Sequence, residues 1–425
     1  MNIFDQLLAD NQIPKFVRVR HEMDHSHIDD IEGAVAQAMR REGTLDRIKP
    51  GDSVCITAGS RDVANIARII RAICDQVKSV GAHPFIIPAM GSHAGAKAEG
   101  QRGIIEGYGV TEEAMGAPIR ASMDTEVIAH PRSGLEIHLD KFANAADFLI
   151  PVGRIKAHTD FRGEVESGIC KMLVIGMGKQ HGAYQCHKLG FKSMAANVKE
   201  FAGAIIEKKP NMFAIGLIEN AYHQTCRIEA IPAGRILEEE PPLLEYAKSR
   251  MAKVPFDQAD ILFVDETGKD ISGAGMDPNV TGRSPVLGIS RPFFQRIAVF
   301  DLTDKSHGNF GGLGSADVTT QRLYRKIDFE QTYPNGITAA EPLAVRLPAV
   351  MPSDRTAMQF ALRTATDCDW EKGPRIVWLK NTLSLSEFYI SEALIPDAEA
   401  LDNVTIVSEP MEVIFDEEGN VKELR

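Results

Sequence analysis

The segment from Ser53 to Met90 constrains the fold most. "SVCIT" (53–57) is a short apolar run of the length of a buried strand. In "RDVANIARIIRAICDQVKSVGAH" the apolar residues fall at Val63, Ile66, Ile69, Ile70, Ile73, Val77 and Val80, which is helical spacing. Gly81 closes that helix, because glycine readily takes the left-handed conformation found at helix ends. "PFIIPAM" (84–90) follows as a second strand. Strand, helix and strand in about 40 residues form a βαβ unit, and such crossovers build parallel sheets. Arg61 and His93 then fall just past the carboxyl ends of neighbouring strands, the edge where open α/β sheets bind ligands.

Further strands are expected at Asp147–Pro151, Met212–Ile218, Ile261–Asp265, Ile297–Leu302 and Ile376–Leu379. Helices are expected at Ser193–Lys208, Pro242–Met251 and Ser315–Ile327. The 425 residues exceed what one hydrophobic core usually serves, so the expected fold class is α/β with two α/β domains and parallel-rich sheets. The acidic, proline-containing "ILEEEPPLLEYAKSRMAKVPFDQAD" reads as a connector and places a boundary near residue 255. The expected domains are 1–255 and 256–395. The tail 396–425 carries a strand pair around a "DEEGN" turn and is expected to return and complete the first domain.

A net charge of −12 argues against a nucleic-acid partner, which needs a basic face. No apolar run reaches 18 residues, so no membrane span is expected. The start lacks the pattern of a signal peptide. The six cysteines are scattered without a C-x-x-C pair and read as reduced thiols of a cytoplasmic protein.

"GICKMLVIGMGKQHGAYQCHKLG" (168–190) is the stretch whose chemistry needs deciding. Gly176, Gly178 and Gly182 approach a dinucleotide fingerprint. The acid such a fingerprint needs further on would be Glu200, which sits inside a helical pattern rather than at a strand end. "GMGKQ" also lacks the spacing of a phosphate loop. His181 and His187 are six residues apart, which is not the spacing of two ligands on one helix face. Most of the other histidines read as solvated or turn residues. His93, in "PAMGSHAGA", and His158, in "PVGRIKAHTDF", each follow a strand in a loop, which suits a general acid and base meeting across one pocket.

Together these residues resemble the nickel-dependent lactate racemase family. The likeness lies in order and spacing between residues 53 and 190. An arginine follows the first strand (Arg61), a "GSH" follows the second (His93), a histidine follows a later strand (His158), then come Lys171 and, sixteen residues on, His187. The resemblance implies a nickel pincer nucleotide held covalently on Lys171, with His187 as the protein ligand to nickel. It implies His93 and His158 as the acid/base pair and Arg61 on the anionic ligand. Ser60, Gly91, Ser92 and Gly178 would help to hold the cofactor, and the active site would lie in the cleft between the two domains. Protein made without the cofactor-synthesis proteins would lack the cofactor. His181 becomes a bystander.

The chain also departs from the family pattern. Ala58 stands where an aspartate is usual, and the interval from His158 to Lys171 is longer. The second domain offers Lys269 and Asp270 in "VDETGKDISGAGMDPN" in place of the family's Gln-x-x-Lys. These departures point away from lactate to a larger 2-hydroxy acid, such as a sugar acid, with Lys269 and Asp270 at the substrate end. The expected partners are that small molecule and the cofactor-synthesis proteins, with homo-oligomerisation left open. The competing expectations are a nicotinamide-dependent oxidoreductase or zinc hydrolase on a similar scaffold, and a non-catalytic ligand-binding relative.

Overall fold

A computed structural model describes residues 3–60, 63–131, 134–188, 190–284, 286–289, 291–339 and 341–425. The chain forms two compact units, residues 24–251 and residues 1–23 with 252–425.

In the unit of residues 24–251, the βαβ pattern folds as its periodicity predicts. Strands Ser53–Ala58 and His83–Pro88 pair in parallel, and Phe148–Ile150 adds to the other edge of Ser53–Ala58, also in parallel. Helix Ile66–Ser79 buries Ile66, Ile69, Ile70, Ile73 and Val77 against this sheet and ends before Gly81, whose φ is +80°. A second sheet is built from Val152–Arg154, Phe213–Glu219 and Thr225–Pro232. Only Pro151 separates Val152 from Ile150, and its carbonyl accepts from Ile215 N–H at 2.8 Å, so the two sheets adjoin. Strands Thr125–Ala129 and Ile137–Asp140 pair antiparallel.

The acidic stretch read as a connector carries the helix expected at Pro242–Met251, which begins six residues earlier and runs Ile236–Arg250, with Ile236, Leu243, Leu244 and Ala247 buried. Pro241 and Pro242 fall early in it, where proline's missing N–H removes only two backbone hydrogen bonds. The division between the units follows directly after this helix.

The other unit is built on one eight-stranded sheet in the order 349–351, 318–320, 293–302, 258–267, 376–379, 387–391, 16–21, 404–406. The first five strands run parallel and the rest antiparallel. Ser315–Ile327, expected as one helix, divides into strand Val318–Thr320 and helix Gln321–Lys326. The β-branched "VTT" suits a strand, and the Thr320 hydroxyl then caps the helix by accepting from Leu323 N–H at 3.1 Å.

The tail expected to complete the first domain packs here instead. Val19 of strand Phe16–His21 pairs with Ile406, drawing both chain ends onto one sheet edge. The hairpin Val413–Phe415/Val421–Leu424 packs its apolar residues against the core around Phe16 and Trp378. It docks through Val421 N–H to Asp354 Oδ2 at 2.9 Å and Arg355 N–H to the Gly419 carbonyl at 3.0 Å. Apolar area, rather than proximity in sequence, decides where the tail goes. Among the described residues, no helix is long and apolar enough to cross a membrane.

Candidate active site

The segment 168–187 folds as helix Ile169–Lys171, a π-turn Met172–Gly176, and helix Lys179–His187. On an unbroken α-helix, sixteen residues would set Lys171 and His187 roughly 160° apart. The wide turn and the break at 177–178 remove that constraint, and the Lys171 charge acts on the His187 ring.

The glycines of this segment allow backbone to meet backbone. A Cβ on Gly176 would lie 3.0 Å from the Ala89 carbonyl, and one on Gly178 would lie 2.9 Å from Gly182 Cα and closer still to the Val174 carbonyl. Gly178 is buried in this packing. The string that resembled a nucleotide loop is explained here by close packing. At the start of the segment, buried Glu240 accepts from Cys170 N–H at 2.9 Å. A side chain at Gly168 would collide with that carboxylate.

His158 lies in the loop after strand Val152–Arg154. Its Nε2 is 2.5 Å from Lys171 Nζ. Nδ1 accepts from Asp160 N–H at 2.9 Å, and the ring stacks on Phe161 with centroids 4.1 Å apart. The His158 N–H donates to Glu166 Oε2 at 2.7 Å. Glu166 is fully buried and held by Lys248 at 3.0 Å and Arg162 at 3.3 Å. Burial pushes the His158 pKa well below the ordinary histidine value, and the charges of Lys171, Lys156 and Arg162 push it the same way. The ring is therefore neutral at neutral pH, and with Nδ1 accepting from Asp160 it carries its proton on Nε2, toward Lys171.

His187 presents the complementary feature. Its Nδ1–H donates to the Ala183 carbonyl, one turn back, at 2.6 Å. This fixes the tautomer and leaves the lone pair on Nε2. Phe191 packs edge-on to the ring at 5.8 Å. Burial lowers the His187 pKa, the Ala183 carbonyl raises it, Lys171 lowers it and Asp160 raises it. A neutral imidazole with a fixed tautomer suits a nickel, zinc or copper ion. Among the described residues, no group of three or more His, Cys, Asp or Glu could hold a metal by itself.

The loops after the two parallel strands reach the same segment. A Cβ on Gly59 would touch Met172 Cε at 3.4 Å. The Gly91 N–H donates to the Gly176 carbonyl at 3.4 Å, and at φ +61° a side chain there would press on Ile175. Ser60, next to Gly59, is anchored by Tyr108, whose hydroxyl donates to its carbonyl at 2.9 Å. Ser92 and His93 are exposed, two residues or fewer past Gly91. Gln101 Nε2 donates to the carbonyls of Gly91 at 2.9 Å and His93 at 3.2 Å. Ala94 and Ala96, both with φ +54°, are held in a conformation that alanine rarely takes, next to the expected catalytic histidine. Arg61 lies outside the described residues.

Lys179 was not anticipated. It has φ +54° and no exposed surface, and it pairs with equally buried Asp140 at 3.2 Å while donating to the Pro88 carbonyl. Burial lowers the Lys179 pKa and raises that of Asp140. Asp140 also accepts from Phe142 and Ala143 N–H. This pair ties the end of strand His83–Pro88 to the turn between Lys171 and His187. Position 179 was read only as part of a failed phosphate loop, and nothing in the sequence marks Asp140 as its partner.

His181 is exposed and stacks on His138 at 5.3 Å. Lys269 and Asp270 belong to the other unit, where both bond neighbouring loop residues. Lys269 Nζ donates to the Gly273 carbonyl at 2.6 Å, and Asp270 accepts from the hydroxyls of Thr303 at 2.5 Å and Ser306 at 3.2 Å.

No protein-family model matches the chain, and no curated protein matches it. Among solved structures, it is similar to the lactate racemase apoprotein of Thermoanaerobacterium thermosaccharolyticum, at 15% identity and a TM-score of 0.52, over 86% of this chain and 93% of that one. At this identity the likeness is one of fold: the chain has a lactate-racemase-like α/β fold over most of its length.

Proposed function

We propose that the protein is a racemase or epimerase of a 2-hydroxy acid larger than lactate, such as a sugar acid. We further propose that it works with a nickel pincer nucleotide attached to Lys171. The observation that carries this reading is the contact of His158 Nε2 with Lys171 Nζ beside a His187 whose Nε2 keeps its lone pair. The donor set suits such a group: one amine for a covalent link and one neutral imidazole for the metal. A metal held mainly by its own cofactor asks the protein for little more.

When bound, the cofactor supplies an acceptor and donor for the hydride at the carbon bearing the hydroxyl. The chain supplies the rest. His158, its ring held by Asp160 and its backbone by Glu166, is assigned to proton transfer at the substrate hydroxyl on one face. His93 is assigned the same role for the opposite configuration, since two enantiomers present their hydroxyls differently. Arg61 is assigned to the substrate carboxylate, which a guanidinium holds by paired hydrogen bonds. The small residues Ser60, Gly91 and Ser92 let the strand-end loops approach a bound nucleotide. Gly178 serves by keeping the turn before His187 compact.

The test is intact-mass and metal analysis of protein co-produced with cofactor-synthesis proteins, with racemisation of 2-hydroxy acids followed in parallel. The expected result is an added mass on Lys171 with bound nickel, both absent from Lys171→Ala. Activity in protein with unmodified Lys171 would overturn the proposal.

A further inference from the structure

The parallel sheet of the 24–251 unit also presents the amino ends of its strands. At the amino ends of its strands, opposite the loops that carry Ser60 and Gly91, lies a cavity of about 280 Å³. Its lining includes Lys78, His83, Phe85, Pro118 and Arg120. The strand His83–Pro88 spans the distance between the two edges, roughly 17–20 Å for six residues. A ligand here would not touch the residues assigned to the reaction.

The lining residue best placed to hold an anion is Arg120. Its guanidinium lies 4.2 Å over the Phe85 ring. Among the described residues it has no carboxylate partner, whereas Arg68, Arg71, Arg102 and Arg154 each have one. Its stacking fixes the plane of the guanidinium and leaves the N–H edge for an anion.

Lys78 adds a second cation. Its amine donates to the Met115 carbonyl at 3.3 Å and lies 3.9 Å from Asp75, so it is only loosely paired. Gly116 keeps the space beside it open, because a Cβ there would come 2.9 Å from the amine. His83 adds a ring nitrogen. The carboxylate nearest Ser53 at the rim is that of Asp147, which already accepts from the Ser53 N–H at 2.9 Å and hydroxyl at 2.6 Å. Pro84, Pro118, Ala82 and Phe85 supply an apolar wall.

We propose that this cavity binds a small phosphate monoester, its phosphate held by Arg120 and Lys78 and its organic part against Phe85 and the prolines. Two cations suit the double charge of a phosphate, and a volume just below the usual range of small-molecule sites suits a small ligand. The inference does not depend on the reaction proposed above.

The experiment is calorimetric titration of the full chain with phenyl phosphate, inorganic phosphate and benzoate, at low and high salt. Saturable one-to-one binding of phenyl phosphate, weakened by salt and tighter than that of benzoate, is expected. Arg120→Gln should lower the affinity by about tenfold or more, and Lys78→Gln by several-fold. Lys372→Gln, on an exposed lysine of the other unit, should change nothing. No saturable heat up to about 10 mM, unchanged affinity in Arg120→Gln, or equal binding of benzoate would each overturn the assignment. A melting curve of Arg120→Gln matching the parent's ensures that a loss is one of binding, and the exposure of Arg120 makes that match the expectation.

Discussion

The two units place polar residues at the carboxyl edges of parallel strands in different ways. In the 24–251 unit, His158 and Lys171 meet at 2.5 Å, and His187 keeps a lone pair that no group among the described residues uses. In the other unit, Lys269 and Asp270 hold their own glycine-rich loops together through Gly273, Thr303 and Ser306. A lysine at a strand end is thus no guide to chemistry by itself. What separates the two edges is the His187 Nε2 lone pair, which no described protein group uses, whereas the Lys269 amine and the Asp270 carboxylate bond their own loops.

The largest expected effect tests this contrast directly. Lys171→Ala should lower racemase activity by about a thousandfold or more, because it removes the proposed point of attachment, while Lys269→Ala should keep activity within a few-fold. Steady-state rates of both variants, produced with the cofactor-synthesis proteins, decide it. Equal losses would erase the distinction between the edges.

The next effect concerns buried charge. The 24–251 unit neutralises buried Asp140 with Lys179, and Lys179→Met should strand that carboxylate and cost about 3–5 kcal/mol in urea unfolding. Adding Asp140→Leu should recover most of the loss, since the double variant leaves no unpaired charge. If the single variant were as stable as the parent, the pair would be incidental. The other unit treats Asp265 differently. Its carboxylate accepts from the Trp378 indole N–H at 2.6 Å, and burial, with Asp354 nearby, pushes its pKa up to about 7. A raised carboxyl pKa contributes stability that is complete below the unfolded value near 3.8 and is lost as pH rises through the folded value. Asp265→Asn should therefore match the parent near about pH 4 and exceed it by roughly 1–2 kcal/mol near about pH 8, after screening by the solvent that reaches the side chain. Parallel stability curves would show that Asp265 does not bear this cost.

The elements that the sequence shows best are those with strong periodicity. Helix 66–79 and its flanking strands follow from apolar spacing, and the tail hairpin follows from "DEEGN" between β-branched runs. The tail's destination was not legible, because pairing between Val19 and Ile406 depends on contacts nearly the whole chain apart. Likewise Pro241 and Pro242 mark a break in sequence, yet the buried face of Ile236, Leu243, Leu244 and Ala247 outweighs two lost hydrogen bonds. At the site, the order His158, Lys171, His187 was visible. The contacts that orient them were not. Lys248 and Asp140 come from distant segments, and although Glu166 lies only eight residues after His158, no local pattern marks a residue that fixes a histidine by accepting its backbone N–H.

The smallest expected effect gives the closest test of the contrast between the edges. Lys269→Met keeps the aliphatic stem against Gly311, where the lysine's Cε would lie 3.0 Å from an added Cβ, and removes only the ammonium that bonds the Gly273 carbonyl. That is one charged hydrogen bond at a partly buried loop, worth about 1–2 kcal/mol. The loss should appear in the urea midpoint and leave the Michaelis constant for the 2-hydroxy acid unchanged within about twofold. A rise in that constant with no loss of stability would mean that the lysine amine serves the substrate rather than the loop. The carboxyl edge of this unit would then be part of the substrate site, and Lys269 and Asp270 would regain the role that the sequence suggested for them.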